Sequence, residues 1–454
     1  MSDFMASGFP KKRFFIEMFT RDIYLEDCIL DLVDNAIDGY LRNCGEKMNI
    51  EKLLWQKEMV KRTSKRKIEI NWSSTQFSIK DNCGGISSDI ARTDLFSMGH
   101  SKDYDKGVLG AYGIGLKRAL FKIGDTISLS SFTMEEGIKV DLNVPEWAAK
   151  DSGRKGDWDI PVQAVGVPTA KFKGTTQIAI QDLRDSVSKL FSDANFQSSV
   201  VHRIGVTYSL FLKSDIAIYV NGQAVTPVDI PLGSSEDIQP SIETIPNAGG
   251  TTATIIVSVA AKKQWRESTA GWYILCNGRV VVFANKTELT GWGLPVGLPA
   301  FHSKFRGFIG LAIFESNDPL KLPWTTTKQG LHRESAAYQA VRQHMFALAR
   351  PVISFLNSLY AGEAAPNEAD ERRIRDQTTQ ADLAGVVSKS RSEETKSTFR
   401  VTSGTQKKKS TTIRISFSVP KAERDRVMKS LRRGELPNSD IGKHVWQYYI
   451  DSEL

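Results

Sequence analysis

Apolar residues recur at helical spacing near the N-terminus of the chain. In residues 22–41 they return every three or four positions, which predicts a helix with one buried face. Asp31, Asn35 and Asp38 stand at i, i+4 and i+7, so a helix places them together beside the apolar stripe. Carboxylates at the edge of a core are costly to bury without partners. This face is therefore either solvated or part of a site.

Two glycine-rich segments follow this helix. Alternating apolar residues over 67–71 predict a strand, and a second short strand leads to the sequence DNCGG at 81–85. A carboxylate at a strand end can accept a hydrogen bond from an exocyclic amine, while glycines let a flat ring approach the backbone. The sequence GVLGAYGIGLK at 107–117 opens a predicted helix over 116–123, where glycine amides and Lys117 suit phosphate oxygens. Either segment alone is equally consistent with a flexible loop.

The motifs together resemble those of the GHKL family of ATP-binding proteins. This family includes ATPase subunits of type II topoisomerases, heat-shock chaperones of the ninety-kilodalton class, MutL, MORC proteins and histidine kinases. Four motifs carry the resemblance in the family's order: DLVDNAID at 31–38, DNCGG at 81–85, GAYGIGLK at 110–117 and GTTQI at 174–178. The first and third are closest to the MORC, MutL and chaperone branch.

The resemblance implies a Bergerat-type α/β sandwich that binds ATP with Mg²⁺. Asn35 would coordinate the Mg²⁺, and Asp81 would accept a hydrogen bond from the adenine amine. Asp31 stands where hydrolysing members have Glu, and it would orient and deprotonate a water. Because Asp is one methylene shorter, we expect slow ATP hydrolysis. The other implied nucleotide-binding residues are Asp38, Gly85, Ser101, Lys102, Gly110, Tyr112, Gly113, Ile114, Gly115, Lys117 and Thr175.

A second region, residues 191–360, again mixes helix and strand patterns. Asn-Gly pairs at 221–222 and 277–278 predict tight hairpin turns. The sequence LPWTTTKQG at 322–330 is similar to the transducer-domain loop of topoisomerases and MutL, in which a lysine reaches the γ-phosphate. Lys328 is the corresponding residue. Its alternative interpretation is a surface lysine in a loop.

The pattern predicts an α+β protein with four parts. A GHKL ATP-binding domain occupies 1–190, and a transducer-like α/β domain occupies 191–360. Residues 361–410 contain a single aromatic residue and predict a flexible linker. Residues 411–454 predict a small strand-helix-helix module that resembles a ribbon-helix-helix and buries Ile441, Val445, Tyr448 and Tyr449. This module would bind DNA through its basic residues, or would serve only for packing or dimerisation.

Composition narrows the function classes only slightly. The 454 residues are 41% hydrophobic and carry a net charge of +8, which allows nucleic-acid contact without showing it. The four cysteines are scattered, as is usual in the reducing cytoplasm, and no cluster of Cys and His indicates a transition metal. No run of about 18 apolar residues is present, so we expect no membrane span.

Three functions remain open. The first is an ATP-driven conformational switch or clamp, a homodimer when ATP is bound, acting on DNA or with a separate effector protein, for example in bacterial genome defence. The second is a chaperone-like ATPase that acts on client proteins. The third is a module that senses ATP without significant turnover.

Overall fold

The structure is a computed structural model in which residues 10–43, 54, 66–97, 99, 109–110, 113–151, 155–359, 368–392, 396–402, 418–431 and 437–453 are described. They belong to two units, residues 1–402 and residues 403–454. Among the described residues, no helix is both long enough and apolar enough to cross a membrane.

A mixed sheet of eight strands organises the first part of the chain. Its order is β5-β4-β3-β6-β2-β1-β7-β8, with β1 and β7 parallel and the other neighbours antiparallel. The strands are β1 (Arg66–Trp72), β2 (Gln76–Asp81), β3 (Gly124–Phe132), β4 (Glu136–Asn143), β5 (Gln163–Gly166), β6 (Thr175–Leu183), β7 (Ile216–Val220) and β8 (Gln223–Ala224). Because β7 and β8 follow residue 190, this sheet extends past the boundary expected for the first domain.

Helices cover one face of this sheet. Ile68 and Ile70 of β1 point into the core, as the alternation predicts. The helix predicted over 22–41 is present as α2, and it packs against α4 and β1. The helices of this part are α1 (Lys12–Arg21), α2 (Leu25–Asn43), α3 (Ser88–Thr93), α4 (Gly115–Ile123), α5 (Val144–Ala149), α6 (Asp185–Phe191), α7 (Ala194–Thr207) and α8 (Ser209–Lys213).

A second sheet of five strands follows, in the order β11-β12-β15-β13-β14, with β13 and β15 parallel. Helix α9 (Ala336–Ser358) packs on β11, β12 and β15, while α7 and α8 pack on the edge strand β14. The strands of this region are β9 (Gly233–Ser234), β10 (Ile238–Gln239), β11 (Ser241–Ala248), β12 (Thr251–Val259), β13 (Gly271–Cys276), β14 (Arg279–Asn285) and β15 (Phe308–Glu315).

Both predicted Asn-Gly turns are confirmed. Asn277 and Gly278 join β13 to β14 with φ of 46° and 80°. Asn221 and Gly222 join β7 to β8 with φ of 45° and 78°. Positive φ at both central residues is the geometry that a two-residue hairpin requires, and Asn and Gly adopt it most readily.

The described part of the segment expected to be a linker is folded. Helices α10 (Glu368–Gln377) and α11 (Leu383–Ser392) are present, β16 (Thr379–Gln380) pairs with β9, and β17 (Arg400–Val401) pairs with β10. Ile374, Val387 and Phe399 are buried. Composition indicated a linker because apolar residues are few, but the few that occur are those that pack.

Two helices make up the described part of the second unit. They are α12 (Lys421–Ser430) and α13 (Asn438–Glu453), which agree with the predicted pair of helices. Of the strand expected over 411–419, residues 411–417 lie outside the described residues. Ile441 is buried as expected, but Val445, Tyr448 and Tyr449 are exposed, so their predicted burial is wrong. Helix spacing alone cannot show whether a second element covers an apolar face.

Replacement of Phe399 by Ala should lower the free energy of unfolding by about 3 kcal/mol, because the side chain is 8% exposed and its ring contacts Phe355. The measurement is urea denaturation followed by tryptophan fluorescence. The control is Leu320→Ala, at a side chain that is 45% exposed. Equal midpoints for the two variants would mean that residues 396–402 behave as a linker in solution.

Candidate functional site

The site is built on the polar face of α2. Asp31, Asp34 and Asp38 are almost completely buried, and Asn35 is partly buried. The Nδ2 atom of Asn35 is buried without a hydrogen-bond partner among the described residues. Sequence reasoning identified three of these four residues and missed Asp34, which stands inside the first motif.

Asp38 holds the start of the glycine-rich segment. Its Oδ1 accepts a hydrogen bond from the backbone N–H of Leu109 at 2.6 Å, and its Oδ2 accepts one from that of Gly110 at 2.7 Å. A Cβ at position 110 would lie 2.9 Å from Oδ2. Burial raises the pKa of Asp38 to about 6, and the bond from Leu109 opposes this rise. In this structure Asp38 therefore positions the glycine segment through its backbone.

Gly115, the first residue of α4, lies against Asp31. A Cβ on Gly115 would come within 2.9 Å of Cγ of Asp31, so only glycine leaves room for that carboxylate. Gly113 has a φ of 62°, and Ile114 is the N-cap of α4. Ser101, Lys102 and Tyr112 lie outside the described residues.

Lys117 lies in the first turn of α4 and is buried. Its ammonium donates hydrogen bonds to the carbonyl oxygens of Gly113 and Asp94, the latter at 3.1 Å. Burial lowers the pKa of Lys117 to about 8. The structure thus shows the lysine tying together two backbone segments, and its predicted contact with phosphates stays a prediction.

The turn after β2 holds the buried carboxyl of Asp81. The Oδ1 of Asp81 accepts a hydrogen bond from the backbone N–H of Cys83 at 2.8 Å. Gly85 has a φ of 78°, and a Cβ there would lie 2.2 Å from the carbonyl oxygen of Phe132. Burial raises the pKa of Asp81 to about 7. A buried carboxyl group at this turn can accept a hydrogen bond from an aromatic amine. The contact of Asp81 with adenine stays a prediction.

The strand register favours Thr176 over Thr175 as the hydroxyl nearest this turn. Thr176 is the register partner of Asp81, and side chains opposite one another in a sheet share a face. Its Oγ1 lies 2.8 Å from Oγ of the fully buried Ser131. Thr175 instead donates its hydroxyl to the carbonyl of Phe172 at 2.6 Å. Motif matching selected Thr175 because two threonines are adjacent, and only the register separates them.

Asp34 connects α2 to the second sheet, to the end of α7 and to the loop that carries Lys328. Nζ of Lys328 lies 2.7 Å from Oδ2 of Asp34 and 4.0 Å from Oδ1 of Asp31. Nε of Arg279 lies 3.1 Å from Oδ1 of Asp34, and the hydroxyl of Tyr208 donates to the same oxygen at 2.6 Å. Lys328 is thus not a surface residue, because its side chain is only 7% exposed.

Opposing effects set the charge of the two carboxyls. Burial would raise the pKa of Asp34, but Arg279 and Lys328 keep it below its usual value, so Asp34 is ionised. Burial raises the pKa of Asp31 to about 6, because Lys328 offsets only part of the desolvation. Asp31 can therefore gain or lose a proton near neutral pH, as can Asp38, whereas Asp34 stays ionised.

A second link lies one turn earlier on α2. Arg203 of α7 forms an ion pair with Asp27 and also donates a hydrogen bond to Oε1 of Gln329. The residue beside Lys328 is thereby attached to α7 and, through Asp27, to α2. The loop that carries Lys328 is therefore connected to α2 at Asp27 and at Asp34.

Replacement of Asp81 by Asn should change how stability depends on pH. The pKa of Asp81 in the folded protein is about 7 and that of an unfolded Asp is about 4, so the neutral acid favours folding at low pH. That contribution is lost as the pH rises from about 4 through 7, at about 1.4 kcal/mol for each pH unit. Denaturation is measured without nucleotide. The free energy of unfolding of Asp81→Asn should rise relative to that of the wild type between about pH 4 and 7, and the difference should stay constant above about pH 7.

The control for this experiment is Asp141→Asn, which makes the same chemical change at an exposed position of β4. If the Asp81→Asn and wild-type curves run parallel from pH 4 to 8, the buried carboxyl is not neutral in the folded protein.

Comparison with known proteins agrees with this geometry. Residues 23–173 match the family model of histidine kinase-, DNA gyrase B- and HSP90-like ATPases. The match includes the polar face of α2, the turn after β2 and the glycine-rich segment. No curated protein matches the chain. The match supports a GHKL-type ATPase domain over residues 23–173 and, with it, ATP binding.

Proposed function

We propose that this protein is a Mg²⁺-dependent ATPase that works as a conformational switch, with Lys328 sensing the terminal phosphate of ATP. The observation that carries the proposal is the contact of Lys328 with the polar face of α2. Lys328 pairs with Asp34 across 294 positions of the chain and lies 4.0 Å from Asp31. The Lys328 ammonium comes from a loop that follows the second sheet and lies against α2. Its position can therefore depend on whether a phosphate is bound beside that helix.

The residues present fit a nucleotide and its metal. Asp81 and Gly85 would form the adenine side, with Asp81 accepting a hydrogen bond from the adenine amine. Asn35 has a buried amide nitrogen without a partner among the described residues, and this donor suits a phosphate oxygen. Its carbonyl oxygen would hold Mg²⁺, which often binds through few protein oxygens together with phosphates and water. Bound Mg²⁺ would neutralise charge on the phosphates.

Asp31 is the residue that would accept the proton of the attacking water. Its carboxylate lies against Gly115 at the N-terminus of α4, where backbone N–H groups favour negative charge. With a pKa of about 6, Asp31 is mostly ionised at pH 7 and close to the pH at which a base is most effective. We therefore assign it the role of general base.

Replacement of Asp31 by Asn should lower phosphate release by about 100-fold or more while ATP still binds, because the amide cannot take a proton. Phosphate release and the affinity for a non-hydrolysable ATP analogue are the two measurements. Asp141→Asn is the matched control, since it makes the same chemical change at an exposed site. Loss of ATP binding in Asp31→Asn would instead make Asp31 a structural residue.

ATP sensing without turnover is a second candidate. It is favoured by the 4.0 Å separation of Asp31 from Lys328, because a carboxylate that faces a cation is a weaker base. The same measurement separates the two functions. If the wild type and Asp31→Asn bind the analogue equally and release phosphate at the same background rate, the protein is a sensor.

The switch is proposed to bring two copies of the chain together when ATP is bound. A non-hydrolysable ATP analogue should double the mass of the wild-type protein measured by light scattering. The Lys328→Met variant lacks the ammonium that would contact the terminal phosphate, so its mass with the analogue should equal that of the nucleotide-free protein. A mass that the analogue leaves unchanged in the wild type would exclude dimerisation as the output.

A further inference from the structure

A buried charge cluster surrounds Lys328, the residue proposed to sense the terminal phosphate. Asp34 is its centre, with Arg279 and Tyr208 on Oδ1 and Lys328 on Oδ2. Arg279 and Tyr208 are fully buried, Asp34 is 1% exposed and Lys328 is 6% exposed. The two oxygens of Asp34 therefore have different partners, and water reaches neither well.

Arg279 holds the backbone of the loop as well as the carboxylate. Its Nη1 donates a hydrogen bond to the carbonyl oxygen of Lys328. Lys328 has a φ of 55°, a backbone conformation that residues other than glycine seldom adopt. With its carbonyl fixed by Arg279, Lys328 can change the direction of its side chain while its backbone stays in place.

One nitrogen of Arg279 is still available. Nη2 is buried and has no hydrogen-bond partner among the described residues. Nε and Nη2 form one edge of the guanidinium, and that edge binds both oxygens of a carboxylate when the two are free. At present Nε contacts Oδ1 of Asp34, while Lys328 holds Oδ2.

We propose that Asp34 and Arg279 form an exchange pair that lets Lys328 leave α2 for the terminal phosphate. Without that phosphate, Oδ2 of Asp34 is the anion that Lys328 binds. When the phosphate is present, Lys328 moves to it and Nη2 of Arg279 takes Oδ2, so that Asp34 is never buried without a counter-charge. An unpaired buried carboxylate would otherwise oppose the movement. Arg279 is thus a positioning residue, and this inference rests on the proposed sensing role of Lys328.

The test compares affinities for ADP and for a non-hydrolysable ATP analogue, both with Mg²⁺, by calorimetry. Arg279→Lys keeps the charge but loses the two-nitrogen edge. It should lower the preference for the analogue over ADP by roughly tenfold and leave ADP binding unchanged. Asp34→Asn removes the anion that competes for Lys328, so it should raise the same preference. Arg350→Lys, an exposed position on α9, should change neither affinity.

Opposite effects from the two halves of one ion pair are the signature of exchange. If Arg279→Lys and Asp34→Asn lower both affinities in parallel, their role is structural and the inference is overturned. Should one of the two variants fail to fold, the other still decides, because each must change the preference in a fixed direction.

Lys328→Met separates this inference from the function on which it rests. Suppose that Lys328→Met loses the preference for the ATP analogue over ADP and that Arg279→Lys keeps it. The sensing role of Lys328 then holds, and the exchange between Asp34 and Arg279 is overturned. A preference that survives in Lys328→Met overturns the sensing role itself and the exchange with it.

Discussion

A buried carboxylate needs counter-charges from the protein itself. For Asp34 these are Arg279 of β14 and Lys328 of the loop at 325–330. Arg279 and Lys328 together keep its pKa below the usual value despite complete burial. This requirement connects α2, the hairpin of β13 and β14, and the loop at 325–330. Without those cations, the helix that carries Asn35 and Asp31 would hold an unpaired charge in its core. Helix α2 and the second sheet are therefore linked by buried charges.

The same helix uses its carboxyls for different tasks, and the surroundings set each task. Asp38 accepts two backbone N–H groups and shapes the glycine segment. Asp31 has a pKa of about 6 and no strong hydrogen bond, which leaves its proton exchangeable. Asp34 is locked in its ionised form. Three identical side chains within eight positions thus differ in their contacts and in their charge state.

The local features of the site could be predicted from the sequence, because each depends on residues that are close in the chain. Helix spacing gave the face with Asp31, Asn35 and Asp38, and the Asn-Gly pairs gave the turns. Asp34 was missed because its partners lie 245 and 294 positions away, and spacing along a helix says nothing about them. Thr176 needed the register of two strands. The fold of residues 368–402 depends on the surface that they cover, which composition does not describe.

The hairpin that carries Arg279 has a mechanical consequence. Arg279 is the first residue of β14, and β14 lies at the edge of the second sheet, so its backbone pairs with only one neighbouring strand. A strand bonded on one side yields more easily than one held on both sides. A displacement of α2 would therefore act, through Asp34 and Arg279, on this edge strand and not directly on the central strands β12, β15 and β13.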